Sequence, residues 1–465
     1  MPGTSRSTLA ALVLAAAVTV TAAGCSLAPD ADGPAADTVV VGYQSKTIDT
    51  VTAGTLLRDK GFFEKRLAAL GGHHRVDWQD FDTGAPITTG MLAGKIDIGS
   101  MGDYPLLING SRAQQSPSTE TRILSITGSS ATGALNDVVV APRSNARTLS
   151  DLRGKRVSAS VGSAGHGTLV AALTRLGIDP TSGVSVVNQQ PQVGASALDS
   201  GQVDALAQFV AWPGLLVFQN RARLLYDGGA LGIPTLHGVV AGKRYADTHA
   251  DIVTAFLQAQ LDATDYLIRH PLEAAQDVAR DTGLPAEVVY LYNGPGGTDF
   301  DTRLRPELVA ALRRDTPYLE SIGQFDRALD VDRFVDDAPL QRASAGRDPG
   351  GTARIRGHDP VCGQDVTDAA HAGEIWYAGA TTTAPAAGPE CLLKALAGSG
   401  PRKVRAAYIP DTLTGTRWFA DRMVWLRDGG RLLPFATQDN ANRYIGDHAG
   451  AQQLSFADAE KEANR

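Results

Sequence analysis

KRVSASVGSAGHGTLVAALTRLGIDPTSGVSVVNQQPQVGASALDSGQVDALAQF, residues 155–209, holds three short apolar runs separated by two stretches of helical spacing. Residues 155–161, 184–188 and 205–209 read as strands, and 167–176 and 195–200 as helices. Strands alternating with helices of this length build βαβ units and a mostly parallel sheet. Working outward, the same alternation occurs once before. Strands are expected at 38–41, 76–81, 96–98, 122–127 and 137–141, a helix at 52–70, and another at 89–92 that ends at Gly94. Two passes through one pattern imply an α/β fold of two lobes. A return strand is expected at Val239–Val240, then a helical region over 251–330, with Phe256, Leu257, Leu261 and Tyr266 on recurring faces. The chain should therefore form lobe 1 from about 38–141 and 238–343, and lobe 2 from about 142–237. It would cross over near Ala141 and come back near His237.

The flanks have different compositions. Arg6, an apolar run over 9–20 and the small residues Ala22, Ala23 and Gly24 lead to Cys25, the layout of a secretory signal. A cysteine directly after the small residues resembles a bacterial lipobox, although Ala22 stands where that pattern prefers Leu. The run is short for a membrane span of about 20 residues. Residues 1–24 are thus expected to be a lipoprotein signal, with Cys25 the lipidated residue and 25–37 a flexible tether. The alternatives are an ordinary signal peptide with an incidental cysteine, or an uncleaved anchor. Net charge is −7 for the whole chain, and removal of Arg6 with the signal makes it −8, so nucleic acid is a poor partner. A hydrophobic fraction of 43% supports a sizeable core.

Six blocks occur in order: VVVGYQ at 39–44, LLRDKGFFEKRLAALG at 56–71, VDWQDFDTGAP at 76–86, GMLAGKIDIGSMGDYP at 90–105, DLRGKRVSASVGSAGHG at 151–167 and ALDSGQVDALAQFVAWP at 197–213. Together they resemble the aliphatic-sulfonate, taurine and nitrate class of ABC-transporter substrate-binding proteins, of the NMT1-like, type II periplasmic-binding-protein kind. The resemblance spans roughly 38–342. It implies a hinged, two-lobed receptor that closes on a small, anionic solute and delivers it to the permease and ATPase subunits of an importer. It also implies an extracytoplasmic location, which a lipid anchor to the cell membrane would serve. An enzyme is disfavoured. The related pyrimidine-precursor synthases use a cysteine-rich iron motif, residues 38–342 contain no cysteine, and no catalytic triad or paired-carboxylate order stands out.

The residues expected at the solute site come from loops that follow strands, since ligands of open α/β sheets bind at the carboxyl ends. GSAGHGT at 162–168 opens a helix whose N–H groups and dipole attract an anion. Ser163, Gly165 and His166 are carried over from the resemblance, with His166 either a proton-dependent donor or a capping or surface histidine. Tyr43, Gln44 and Ser45 follow the first strand, and Gly102, Asp103 and Tyr104 follow the third. Asp103 would accept from an ammonium group or cap the next helix, the latter being favoured. Trp212 would cover an apolar part of the solute or pack in the core. His73 and His74 read as a solvated turn.

Beyond a polar linker at 344–356 lies a smaller α+β module containing Trp376, Trp418 and Trp425. Its blocks HDPVCGQ at 358–364, PECLL at 389–393, TGTRW at 414–418 and LLPFATQDNANRYIGDHAG at 432–450 resemble the NosL-type copper accessory lipoproteins over roughly 357–458. The resemblance implies copper(I), for which Cys362, Cys391 and Met423 are the candidate ligands and His358 and His371 the alternative donors. Gln364 stands where that family carries methionine, and its Pro-Met-Gly segment is missing. The residues leave a second reading open, a disulfide between Cys362 and Cys391, natural outside the cell, and a redox-switchable pair would cover both and make the tail a metal-handling or redox-sensing module. No cofactor is expected in the body.

Overall fold

The computed structural model describes residues 37–465 apart from Asp326 and Pro401; the signal, Cys25 and most of the tether expected from the sequence lie outside the described residues. The body begins with β1 (Asp37–Tyr43), a 3-10 turn (Ile48–Ala53), α1 (Thr55–Asp59), α2 (Phe62–Leu70), β2 (His74–Asp80), α3 (Gly84–Leu92), β3 (Ile98–Gly102), α4 (Asp103–Ala113) and β4 (Thr121–Ser130). It continues through β5 (Asn136–Val140), β6 (Arg156–Ala159), α5 (Ala164–Arg175), β7 (Ser185–Asn188), α6 (Pro191–Asp199), β8 (Ala205–Phe209), α7 (Trp212–Phe218), β9 (Arg223–Asp227) and β10 (Thr235–Gly242). The helices α8 (Lys243–Thr248), α9 (Ala250–Arg269), α10 (Pro271–Thr282), α11 (Ala286–Asn293), α12 (Pro306–Ser321), α13 (Val331–Phe334) and α14 (Ala338–Ala343) follow.

Two five-stranded sheets form, ordered β2-β1-β3-β10-β4 and β7-β6-β8-β5-β9. The expected α/β, two-lobed architecture is therefore present, with one boundary moved. β5 pairs antiparallel with β8 and β9, so it belongs to the second lobe. The crossing falls between Ser130 and Asn136 rather than near Ala141, because an apolar strand does not itself say which sheet it will join. The expected 52–70 helix is likewise divided: Gly61 adopts φ +61°, a left-handed conformation that stops α1 and starts α2. The 251–330 region is helical but interrupted by the loop 294–305.

Each lobe buries its helices against its sheet. In lobe 1, Val39, Val41, Phe63 and Leu257 pack in one cluster, where the Phe63 and Phe256 rings meet edge to face at 5.1 Å. In lobe 2, Val138, Val157, Leu169 and Leu173 form the corresponding core. Each sheet is mixed rather than mostly parallel as expected: β2, β1 and β3, and likewise β7, β6 and β8, run parallel, while β10 and β5 pair antiparallel with both of their neighbours. Cover on both faces is what lets these strands read as continuous apolar runs.

The tail comprises β11 (His358–Asp359), β12 (Gln364–Asp365), β13 (Gly373–Tyr377), β14 (Ala384–Ala386), α15 (Pro389–Ala397), β15 (Val404–Pro410), β16 (Arg417–Phe419), β17 (Val424–Asp428), β18 (Arg431–Phe435), α16 (Gln438–Asp447), β19 (Gln452–Leu454) and α17 (Phe456–Ala463). Its two larger sheets run β14-β13-β15-β16 and β18-β17-β19. The three tryptophans are fully buried, yet the module does not keep its core to itself. Trp376 and Tyr408 pack on Tyr290 of α11, Trp418 on Tyr292, and Phe419 on Phe218 of α7, so tail and body share one apolar cluster. At the centre of this seam, buried Arg417 pairs with Glu374 at 2.7 Å and donates to the Pro295 carbonyl at 2.6 Å. The linker is pinned as well: Arg347 pairs with Asp262 and Asp265, and the Pro349 carbonyl accepts from the Thr302 hydroxyl.

Candidate functional site

The loops that follow β1, β3, β6 and β8 meet where the two lobes close on each other. Here the Ala211 N–H of lobe 2 donates to the Lys46 carbonyl of lobe 1 at 3.2 Å. The start of α4 lies directly against the start of α5. A Cβ on Gly102 would stand 3.3 Å from that of Ala164, and one on Gly167 would stand 2.1 Å from Cζ of the Tyr104 ring. Only a residue without a side chain lets Tyr104 lie flat on α5 at that point.

The seam gathers most of the residues expected there. Ser163 caps α5 by accepting from the His166 N–H at 3.3 Å, which leaves the first-turn N–H groups of Ala164 and Gly165 ahead of any intrahelical acceptor. The Trp212 indole, at the head of α7, lies under the Lys46 ammonium, 5.9 Å from its centroid. Gln44 is buried and donates to the Ser100 carbonyl. Tyr43 and Ser45 are not part of this seam. Tyr43 turns into lobe 1, edge-on to Trp78, and Ser45 is held by Asp80 through its N–H at 2.8 Å and its hydroxyl at 2.6 Å.

Two roles differ from expectation. Burial works against a proton-dependent role for His166: it pulls the pKa down to about 4, and Nδ1 accepts from the Gly162 N–H at 3.2 Å. The ring is neutral near pH 7 and has only Nε2–H to offer. Asp103 is not the cap of α4, which is Gly102 with no side-chain bond; it is the first helical residue and fully buried. Its carboxylate accepts from the Tyr104 N–H at 2.8 Å, the Leu236 N–H at 3.3 Å and the Thr235 hydroxyl, tying α4 to β10.

Reading the sequence did not single out the chain of polar groups behind this seam. His237 Nδ1 stands 2.6 Å from Oδ2 of Asp49, both wholly buried. Burial would strip the His237 proton, but the carboxylates of Asp49 and Asp103 outweigh it and hold its pKa above the ordinary value. Thr235 donates to Asp103 and accepts from Asn136 Nδ2 at 3.2 Å, which fixes the orientation of that amide. Gln208 is fixed in the same way, since its Nε2 donates to Ser160 Oγ, which itself donates to the Gln189 carbonyl. Among the described residues, Asn136 Oδ1, Gln208 Oε1 and Asp49 Oδ1 are then buried acceptors without a hydrogen-bond donor. The sequence signal for this chain is a charged residue inside an otherwise apolar strand, LHGVVA at 236–241.

In the tail, Cys362 and Cys391 form a disulfide with a Cα–Cα distance of 5.8 Å, the second of the two readings left open by the sequence. The soft thiolate pair that copper(I) selects is not assembled in this oxidised form. Asp359 lies beside both sulfurs, but its carboxylate is occupied by the N–H groups of Val361, Cys362 and Ala387. His358 and His371 pair with Asp365 and Asp368 at 2.9 and 2.7 Å, and Met423 is buried in the core.

The family model described as NMT1/THI5 like matches residues 111–274. The taurine-binding periplasmic protein of Escherichia coli K12 is 31% identical over 241 residues, covering 50% of this chain and 70% of that protein. Among solved structures, the alkanesulfonate-binding protein SsuA from Xanthomonas axonopodis pv. citri bound to MOPS aligns with a TM-score of 0.55 at 24% identity, over 65% of this chain and 99% of that one. The periplasmic nitrate-binding protein NrtA from Synechocystis PCC 6803 aligns with a TM-score of 0.52 at 13% identity, over 68% and 90%. These two likenesses concern the fold.

Proposed function

We propose, from the premise that this chain belongs to the NMT1/THI5-like family of periplasmic sulfonate- and taurine-binding proteins, that it is the solute receptor of an ABC importer. It binds a small sulfonate-type anion between its lobes and hands it to a membrane permease, without changing it chemically. The observation that carries this reading is the α5 N-terminus, brought against the loops of the facing lobe with its first N–H groups uncommitted. Those donors and the helix dipole suit the acid group of a solute. The acceptors left open on Asp49, Asn136 and Gln208 suit a donor at its other end. An aminosulfonate of the taurine type satisfies both sets. Lipidation at Cys25, and with it tethering to the outer face of the cell membrane, belongs to the same proposal. Among the described residues no helix is long and apolar enough to cross a membrane.

Calorimetric titration of the whole mature chain with taurine, ethanesulfonate and nitrate tests the reading. Taurine is expected to bind at least about tenfold tighter than ethanesulfonate, the worth of one buried charge-assisted hydrogen bond. No heat and no thermal stabilisation with any of the three would refute it.

A further inference from the structure

A second cavity, of about 670 Å³, lies away from the lobe seam, where the tail rests on lobe 2. Its body wall carries Ala172, Arg175 and Leu176 from the end of α5, with Tyr226 of β9, and its tail wall carries Leu413, Asp439 and Arg443. Cavities of a few hundred Å³ at domain interfaces are where small ligands commonly bind.

The charged groups in this wall keep donors to spare. Asp439 and Arg443 stand four residues apart on α16, the usual spacing for an ion pair. Among the described residues neither side chain closes a hydrogen bond or a contact ion pair, although Arg443 acts electrostatically on the Asp439 carboxyl and opposes the upward pull of burial and of Asp151. On the opposite wall, Arg175 spends only Nη1, on the carbonyls of Ala230 and Leu231 at 3.2 and 2.7 Å. Two guanidiniums and one carboxylate thus line the cavity itself, with the carboxyl groups of Asp227 and Asp151 behind its wall. Leu176 and Leu413 meet the same space at 44% and 45% exposure, unusual for leucine in a chain that buries most of its large apolar residues. A guanidinium recognises a planar or tetrahedral oxyanion through paired N–H donors, and exposed leucines gain from any apolar group that covers them.

We infer that this interdomain cavity is a second binding site, for an organic anion with an apolar body, its acid group held between Arg175 and Arg443 and its hydrocarbon laid against Leu176 and Leu413. Because its walls come from two modules, such a ligand contacts body and tail together and stabilises their docking. The inference concerns this cavity alone, and the Arg443 variant separates it from the lobe seam whatever that seam binds.

The test uses the whole mature chain and two probes, octanoate and phenyl phosphate, each titrated calorimetrically with taurine in excess so that the lobe seam does not respond. One site is expected, weakened by at least about tenfold in Arg443→Gln and tightened in Asp439→Asn, which removes the opposing charge. Arg443 is exposed, so its replacement leaves the fold and the taurine isotherm as they were. Equal affinity in wild type and Arg443→Gln overturns the inference, and so does the absence of binding by either probe up to about 10 mM, where even a weak site would respond.

Discussion

Replacing Arg417 by Ala addresses how the tail is joined to the body. Arg417 and Glu374 are buried at 3% and 6% side-chain exposure, 2.7 Å apart. The guanidinium also donates to the Pro295 carbonyl and lies over the Tyr290 and Tyr408 rings at 5.0 and 4.5 Å. Truncation leaves Glu374 with two donors, the hydroxyls of Tyr290 and Thr383, and no counter-charge. Breaking a buried pair in this way costs about 3–5 kcal/mol, most of it the desolvation of the remaining ion. At roughly 2 °C per kcal/mol for a chain of this size, the melting temperature should fall by about 6–10 °C. Urea unfolding followed by tryptophan fluorescence is the assay, because Trp376 and Trp418 lie on this seam. The paired replacement Arg417→Met with Glu374→Met removes both charges, and should recover most of the loss. A loss below about 1 kcal/mol in Arg417→Ala, or a double variant no better than the single one, would refute the reasoning, since the pair would then behave as a surface bridge.

Three more outcomes follow from the seam and the tail. Gly167→Ala puts a Cβ 2.1 Å from the Tyr104 ring, so the lobes should no longer close fully; solute affinity should drop at least about tenfold while each lobe stays folded, as read by calorimetry and small-angle scattering. His166 is held neutral by burial, with a pKa of about 4 in the folded chain. Unfolding then takes up a proton as pH falls below the ordinary histidine range, so stability is full above about 6.5 and is lost towards pH 4, on the order of 3 kcal/mol that His166→Gln should not lose. Reducing the Cys362–Cys391 disulfide, which closes a loop with a sequence separation of 29, should cost about 3–4 kcal/mol, measured by urea unfolding with and without reductant; an unchanged midpoint would argue against the bridge.

Much of the body was legible from local pattern. β8 runs over the expected residues, and β6, α5 and β7 deviate only at their ends, because buried parallel strands and the helices covering them have distinct apolar spacing. The loop at Ser163 was legible too, since small residues between a strand and a helix leave few other uses for those N–H groups. Asp49, His237 and Asn136 were not. They lie far apart in the chain; Asp49 and Asn136 look ordinary, and His237, though polar within an apolar strand, shows no partner until β10 returns beside β3 and brings it against Asp49. Tyr43 erred in the opposite direction: adjacency to a crevice loop suggested a ligand, while strand alternation turns its ring into the core.

What the sequence determined by itself was the set of elements, the two-lobed plan and the place of the tail, all set by short-range spacing and by ordered blocks along the chain. Tertiary structure decided which sheet took β5, which of two charge states His166 holds, and that Cys362 meets Cys391. It also decided that the tail shares its core with the body through Arg417 and Glu374. Each of these depends on burial or on contacts between residues distant in the chain, and neither desolvation nor long-range pairing has a signature at the scale of a few neighbouring residues.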